Sequence, residues 1–78
     1  MNSDANNKNT INPKHLLHSK WTATEPKNQE QHFIVTRTVL NKKGQVSQCT
    51  LQAIKTQREF RLDWRQLKDR ELWLPGWV

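Results

Sequence analysis

Tryptophan is the feature that most restricts this chain. Trp21, Trp64, Trp73 and Trp77 are four indoles among 78 residues, with no tyrosine beside them. An indole buries about 150–250 Å², and a domain of this size hides only roughly 60% of the surface its unfolded chain exposes. The rest of the candidate core is thin: Phe33, Ile34, Val35, Val39, Leu51, Ile54, Phe60, Leu62 and Leu67. Such a chain cannot leave most of its indoles in water, and Trp21 and Trp64 are expected in the core. Trp73 and Trp77 lie near the end of the sequence, where the size argument weakens. They stay open between core packing and an interface.

Length allows one domain. Cys49 is the only cysteine, so no disulfide within the chain can help it fold, and a lone thiol fits a reducing compartment. Residues 1–14 lack the apolar stretch an export signal needs. The longest apolar runs, such as Phe33-Ile34-Val35, fall far short of the ~20 residues of a membrane span. The expectation is a soluble cytoplasmic protein, monomeric or weakly self-associating, with no membrane partner.

The net charge of +6 is unevenly distributed. Residues 8–58 carry nine Lys or Arg against Glu25 and Glu30, whereas residues 59–78 carry four of each sign. A basic surface attracts polyanions, although small proteins also carry net charge for solubility alone.

Residues 1–13 are Asn-rich and poor in apolar side chains, so a flexible tail is expected there, ahead of one domain over 14–78. Four strands are predicted. Ser19 to Thr24 leads into the turn signal Glu25-Pro26-Lys27-Asn28, and His32 to Leu40 is almost wholly β-branched or aromatic. Asn41-Lys42-Lys43-Gly44 reads as a hairpin loop. Gln45 to Lys55 comes next, with Cys49, Leu51 and Ala53 on one face. After a turn at Thr56 to Arg58, Glu59 to Trp64 alternates cleanly, with Phe60, Leu62 and Trp64 inward. In the second strand strict alternation puts Phe33, Val35, Arg37 and Val39 on one face, with Ile34, Thr36, Thr38 and Leu40 on the other. Both faces are partly apolar, which suggests a central strand or a curled sheet.

Asp63 with Gln66 resembles a capping box. Trp64, Leu67, Glu71 and Leu72 then fit about two helical turns before Pro75 ends them. The alternative makes Glu71 to Leu74 a fifth strand. The fold expected is therefore α+β: a small antiparallel meander of three to four strands, SH3-like or barrel-like, with a short C-terminal helix.

The blocks His18-Ser19-Lys20-Trp21-Thr22-Ala23, His32-Phe33, Cys49-x-Leu51-x-Ala53, Asp63-Trp64-Arg65-x-Leu67-Lys68-Asp69 and Trp73-x-Pro75-Gly76-Trp77 resemble a family of short tryptophan-rich bacterial proteins of unknown function. The resemblance covers residues 14–78. It implies a stand-alone cytoplasmic protein and carries no activity or catalytic residues with it.

Four chemistries compete for the remaining residues. His15, His18, His32 and Cys49 are ligand types zinc accepts, but only His15 and His18 are close in sequence, so no metal or other cofactor is expected. Cys49 with His18 or His32 has the makings of a nucleophile pair, yet a thiol on an apolar strand face is inert. The chain also looks too short for a pocket of ~300–1,000 Å³, so an enzyme is not expected. Lys20, Arg37, Lys42, Lys43, Lys55 and Arg58, with Lys14, are candidates for single-stranded nucleic acid, RNA above all. Small curled sheets bind it in this manner by analogy. The alternative is a protein-binding adaptor using Trp73, Pro75 and Trp77, since tryptophan is favoured at interface centres.

Overall fold

The computed structural model describes residues 8–78. Five antiparallel strands form one sheet: β1 (Lys20–Lys27), β2 (Glu30–Leu40), β3 (Val46–Ala53), β4 (Glu59–Asp63) and β5 (Trp73–Pro75). Their spatial order is β4-β3-β2-β1-β5. The first four strands make a meander, and the chain then crosses back so that β5 pairs with β1.

The expected α+β class is overturned, because the described residues contain strands and short 3-10 turns but no α-helix. Asp63 does act as an N-cap, its side chain accepting from the Arg65 amide, but the element it caps is a five-residue 3-10 turn, Trp64–Lys68. Trp64 and Leu67 are its buried residues, and a spacing of three serves a helix of three residues per turn. Beyond Asp69, Glu71 and Leu72 are exposed, so no apolar stripe exists to extend a helix. Trp73 to Pro75 instead add to the sheet. Pro75 is compatible with that position because β5 is an outer strand.

The turns are set by local chemistry. Asn28 and Gln29 connect β1 to β2, both with positive φ (56° and 63°), the geometry of a two-residue hairpin turn. In the β2–β3 loop the Asn41 side chain accepts from the amides of Lys43 and Gln45 at 2.9 and 3.0 Å. Gly44 there sits at φ 78°.

A bulge resolves the ambiguity in β2. Val35 pairs with Leu51, but the next partner of Thr50 is Arg37, so Thr36 is the extra residue and alternation restarts after it. Arg37 and Val39 therefore lie on the face opposite Phe33 and Val35. Strict alternation had placed all four together.

One face of the sheet holds the core. Trp21, Phe33, Val35, Cys49, Leu51 and Ala53 are buried there, covered by Leu16 from the segment before β1 and by Trp64 and Leu67. Phe33, on the central strand, meets Phe60 of β4 and Trp73 of β5 edge-on, at centroid distances of 5.8 and 5.3 Å. The sheet curls enough for its two outer strands to share this one ring. β4 and β5 do not pair with each other, so the sheet stays open and the barrel is not closed.

The packed unit reaches ahead of residue 14. Asn9 is buried, and its side-chain amide donates to the carbonyls of Leu67 and Trp73 at 2.7 and 2.9 Å. The backbone of Lys8 forms an isolated antiparallel β-bridge with that of Asp69, and Ile11 packs on the core. Of the tail expected over residues 1–13, residues 1–7 lie outside the described residues. No helix among the described residues is long and apolar enough to cross a membrane.

Candidate binding face and groove

The second face of the sheet is assembled by register. Lys20 stands opposite Ile34, Ile34 opposite Gln52, and Gln52 opposite Glu59. The next row is Arg37, Thr50 and Arg61. Directly opposed residues point to the same side, so Lys20, Arg37 and Arg61 share this face around the half-buried Ile34. We call it the open face.

The end of the chain folds onto it. Gly76, at φ 81°, takes a conformation that favours glycine and turns the chain off β5. Thr22, only 2% exposed, donates its hydroxyl to the Gly76 carbonyl at 2.6 Å and accepts from the Val78 amide at 3.1 Å. The Trp77 indole N–H donates to the Phe33 carbonyl at 2.9 Å. Its ring lies under the Lys20 ammonium, 4.7 Å from the centroid, and 6.0 Å from the His32 ring. Trp77 nevertheless remains 41% exposed. Held by a hydrogen bond and flanked by a cation, it is a fixed aromatic surface on a face that carries Lys20, Arg37 and Arg61 beside the apolar Ile34 and Val39.

The other tryptophans are placed differently. Trp21 and Trp64 are buried in the core, as expected, and Trp73 is half-buried against Phe33. Trp73 and Trp77 thus lie on opposite faces of the sheet, and Pro75, paired with Trp21, lies between them. The three do not form one patch.

Nor do the six basic candidates. Lys20 and Arg37 share the open face. Lys42 and Lys43 stand exposed in the β2–β3 loop, at the end of the sheet away from the Asn28-Gln29 turn. Lys55, at that turn's end, donates to the Gln29 side chain at 2.9 Å. Arg58 is committed elsewhere. Its guanidinium donates to both oxygens of the Glu30 carboxylate, which also accepts from the Thr56 hydroxyl. Glu30 is 3% exposed, and these hydrogen bonds, Arg58 first, hold its carboxyl below the usual value. This pair clips the β1–β2 turn to the β3–β4 turn, and it neutralises the charge the sequence had offered to a phosphate. Arg61 is the cation that the sequence candidates omitted; its outward position in the Glu59-Phe60-Arg61 alternation was the available signal.

On the core side, the two outer parts of the curled sheet flank a groove of about 520 Å³. Ala23, Phe33, Phe60, Leu62 and Trp73 line it, with Glu30 and Arg58 at one end. The length argument against a pocket of ordinary ligand size therefore fails; curling supplies the volume without a second layer of structure.

The nucleophile and zinc sets are not brought together. Cys49 faces the core, and burial first, then nearby Asp63, pushes its thiol up to about 11. That thiol is protonated and unreactive at neutral pH. His32 lies on the opposite face, and His15 and His18 are exposed before β1. Among the described residues no three His, Cys, Asp or Glu side chains form a metal-holding group.

A family model described as tryptophan-rich protein (DUF2389) matches residues 19–78. No curated protein and no solved structure matches the chain.

Proposed function

The chain belongs to the tryptophan-rich family DUF2389, whose function is unknown, and from its open face we propose that it is a binding module for single-stranded nucleic acid rather than an enzyme. The observation that carries this reading is the exposed Trp77 ring beside Lys20, with Arg37 and Arg61 on the same face. Single strands are held without sequence preference by aromatic rings that stack bases and by cations that track the phosphates. The strands supply the cations here, and the C-terminal segment pinned onto them supplies the ring. Phosphate contacts make such binding fall with salt, by about 0.7 in log affinity per log salt for each phosphate neutralised.

The test is an amide-shift titration with short poly-U RNA and the matching DNA, at low and high salt. Shifts should centre on Lys20, Ile34, Arg37 and Trp77. Trp77→Ala should weaken binding by roughly tenfold or more, the loss of one stacked base. Arg37→Ala should lower the salt slope by about 0.7. Absence of shifts on this face at low salt overturns the proposal. Salt-insensitive capture of a protein through the groove beside Trp73 would favour the adaptor instead.

A further inference from the structure

The two outer strands of the sheet end differently. At β5 the outer side is closed off: Asn9 donates to the Trp73 carbonyl, the Trp73 amide donates to Asp69, and Pro75 has no amide to offer. At β4 the only neighbouring strand among the described residues is β3. The Ala53 amide donates to the Arg58 carbonyl, so ladder bonds to β3 fall at Arg58, Phe60 and Leu62. The backbone groups of Glu59 and Arg61 then face away from the sheet.

An outer strand with free backbone groups is a template for another strand, and the side chains here select the partner. On the open face β4 presents Glu59, Arg61 and Asp63, alternating in sign. On the core face it presents Phe60 and Leu62, both half-buried. We propose that β4 pairs with β4 of a second copy of this chain, antiparallel about a two-fold axis at Phe60. That register opposes Glu59 to Arg61 of the other copy twice, at hydrogen-bonded positions, and sets the two Phe60 rings side by side on the core face. Both kinds of cross-strand pair are favourable.

Neighbouring registers are poorer. Centred on Arg61, the pairing sets arginine against arginine and Glu59 against Asp63. Centred on Glu59, it sets glutamate against glutamate. Centred on Leu62, it needs Asp63, whose carboxylate already holds the Arg65 side chain and amide, and the chain turns away at Trp64. Pairing at Phe60 produces one ten-stranded sheet in which two open faces become continuous. This inference concerns the free protein and meets the proposed ligand only at Arg61, which in the dimer pairs with Glu59 of the other copy.

Sedimentation equilibrium without nucleic acid, up to about 1 mM protein, tests it. The wild type should show a concentration-dependent dimer. Arg61→Glu sets four carboxylates across the interface and should leave monomer at every concentration, with an unchanged circular dichroism spectrum. Adding Glu59→Arg to that variant reverses the charges on both copies and should restore the dimer. A wild type that stays monomeric throughout overturns the proposal. So does an Arg61→Glu variant that still dimerises, or a charge-reversed double variant that does not.

Discussion

The two faces of this sheet are made from alternate residues of the same strands, yet they hold the molecule together by different means. On the core face, Leu51, Val35, Cys49 and Ala53 have no measurable exposure, and Trp64 and Leu67 cover them. On the open face, the cover is three residues, Gly76 to Val78, pinned by Thr22 and by the Trp77 indole. One side is fixed by exclusion of water, the other by a few directed hydrogen bonds. A sheet of this kind can vary its open face while its core stays constant, and for that reason the cations and the exposed indole there are better placed for binding than anything in the core.

The sharpest break between the faces is a pair of truncations. Leu51→Ala removes a fully buried side chain and should cost about 2–5 kcal/mol. Ile34→Ala, on the central strand but on the open side and half-exposed, should cost under about 1.5 kcal/mol. Urea unfolding monitored by tryptophan fluorescence measures both. Similar losses at the two sites would mean that the open face is part of a second core.

Next in size is a pH effect at the clip between the turns. Glu30 has its carboxyl lowered below its usual 4.5 by the Arg58 hydrogen bonds, then by Thr56. A carboxylate more acidic in the folded state stabilises it fully above the unfolded value. That contribution fades as pH falls through 4.5 and is gone below the lowered folded value. Glu30→Gln should therefore be less stable than the wild type at neutral pH and converge on it in acid. Asp63, lowered by Arg65, leaves some acid sensitivity in both. Urea midpoints from pH ~7 to ~3 that run parallel for the two proteins would remove Glu30 as the source.

What the sequence disclosed differs between the faces in the same way. The core face was legible wherever period-two alternation was clean: Phe60 and Leu62 in β4, Cys49, Leu51 and Ala53 in β3. Turn chemistry located the Asn41 to Gly44 loop. The turn expected over Glu25 to Asn28 came too early: β1 continues through Pro26 to Lys27, and the chain reverses at Asn28-Gln29. The open face was not legible, because it depends on register and on contacts distant in sequence. A single extra residue at Thr36 transfers Arg37 from one face to the other, and β-branched sequence gives no sign of it. Arg58 looked as available as Lys20; only folding brings Glu30, 28 residues away, onto it. The helix expected after Asp63 failed because a spacing of three between Trp64 and Leu67 suits a 3-10 turn as well as an α-helix. The exposed Glu71 and Leu72 give no reason to continue. Trp77 was flagged by its Pro-Gly neighbour, but its place on the face opposite Trp73 needed the Gly76 turn.

The bulge itself offers the smallest and most local test. Thr36 is the extra residue between the two pairing registers of β2, and its hydroxyl oxygen is buried without a hydrogen-bond partner. An unsatisfied buried hydroxyl costs about 1–3 kcal/mol, while the branched shape of threonine suits a strand. Valine keeps that shape and removes the unpaired oxygen, so Thr36→Val should leave the fold unchanged and raise stability, by about 1 kcal/mol at most once the partial exposure of the residue is allowed for. The bulge does not depend on the hydroxyl, since no bond is made by it, and amide shifts across Val35 to Thr38 should be nearly unaltered. A destabilised Thr36→Val would mean instead that the hydroxyl holds the bulge in place. The bulge puts Arg37 on the open face, so Thr36→Val should keep Arg37 among the shifts induced by single-stranded RNA, and only the loss of the bulge would remove it.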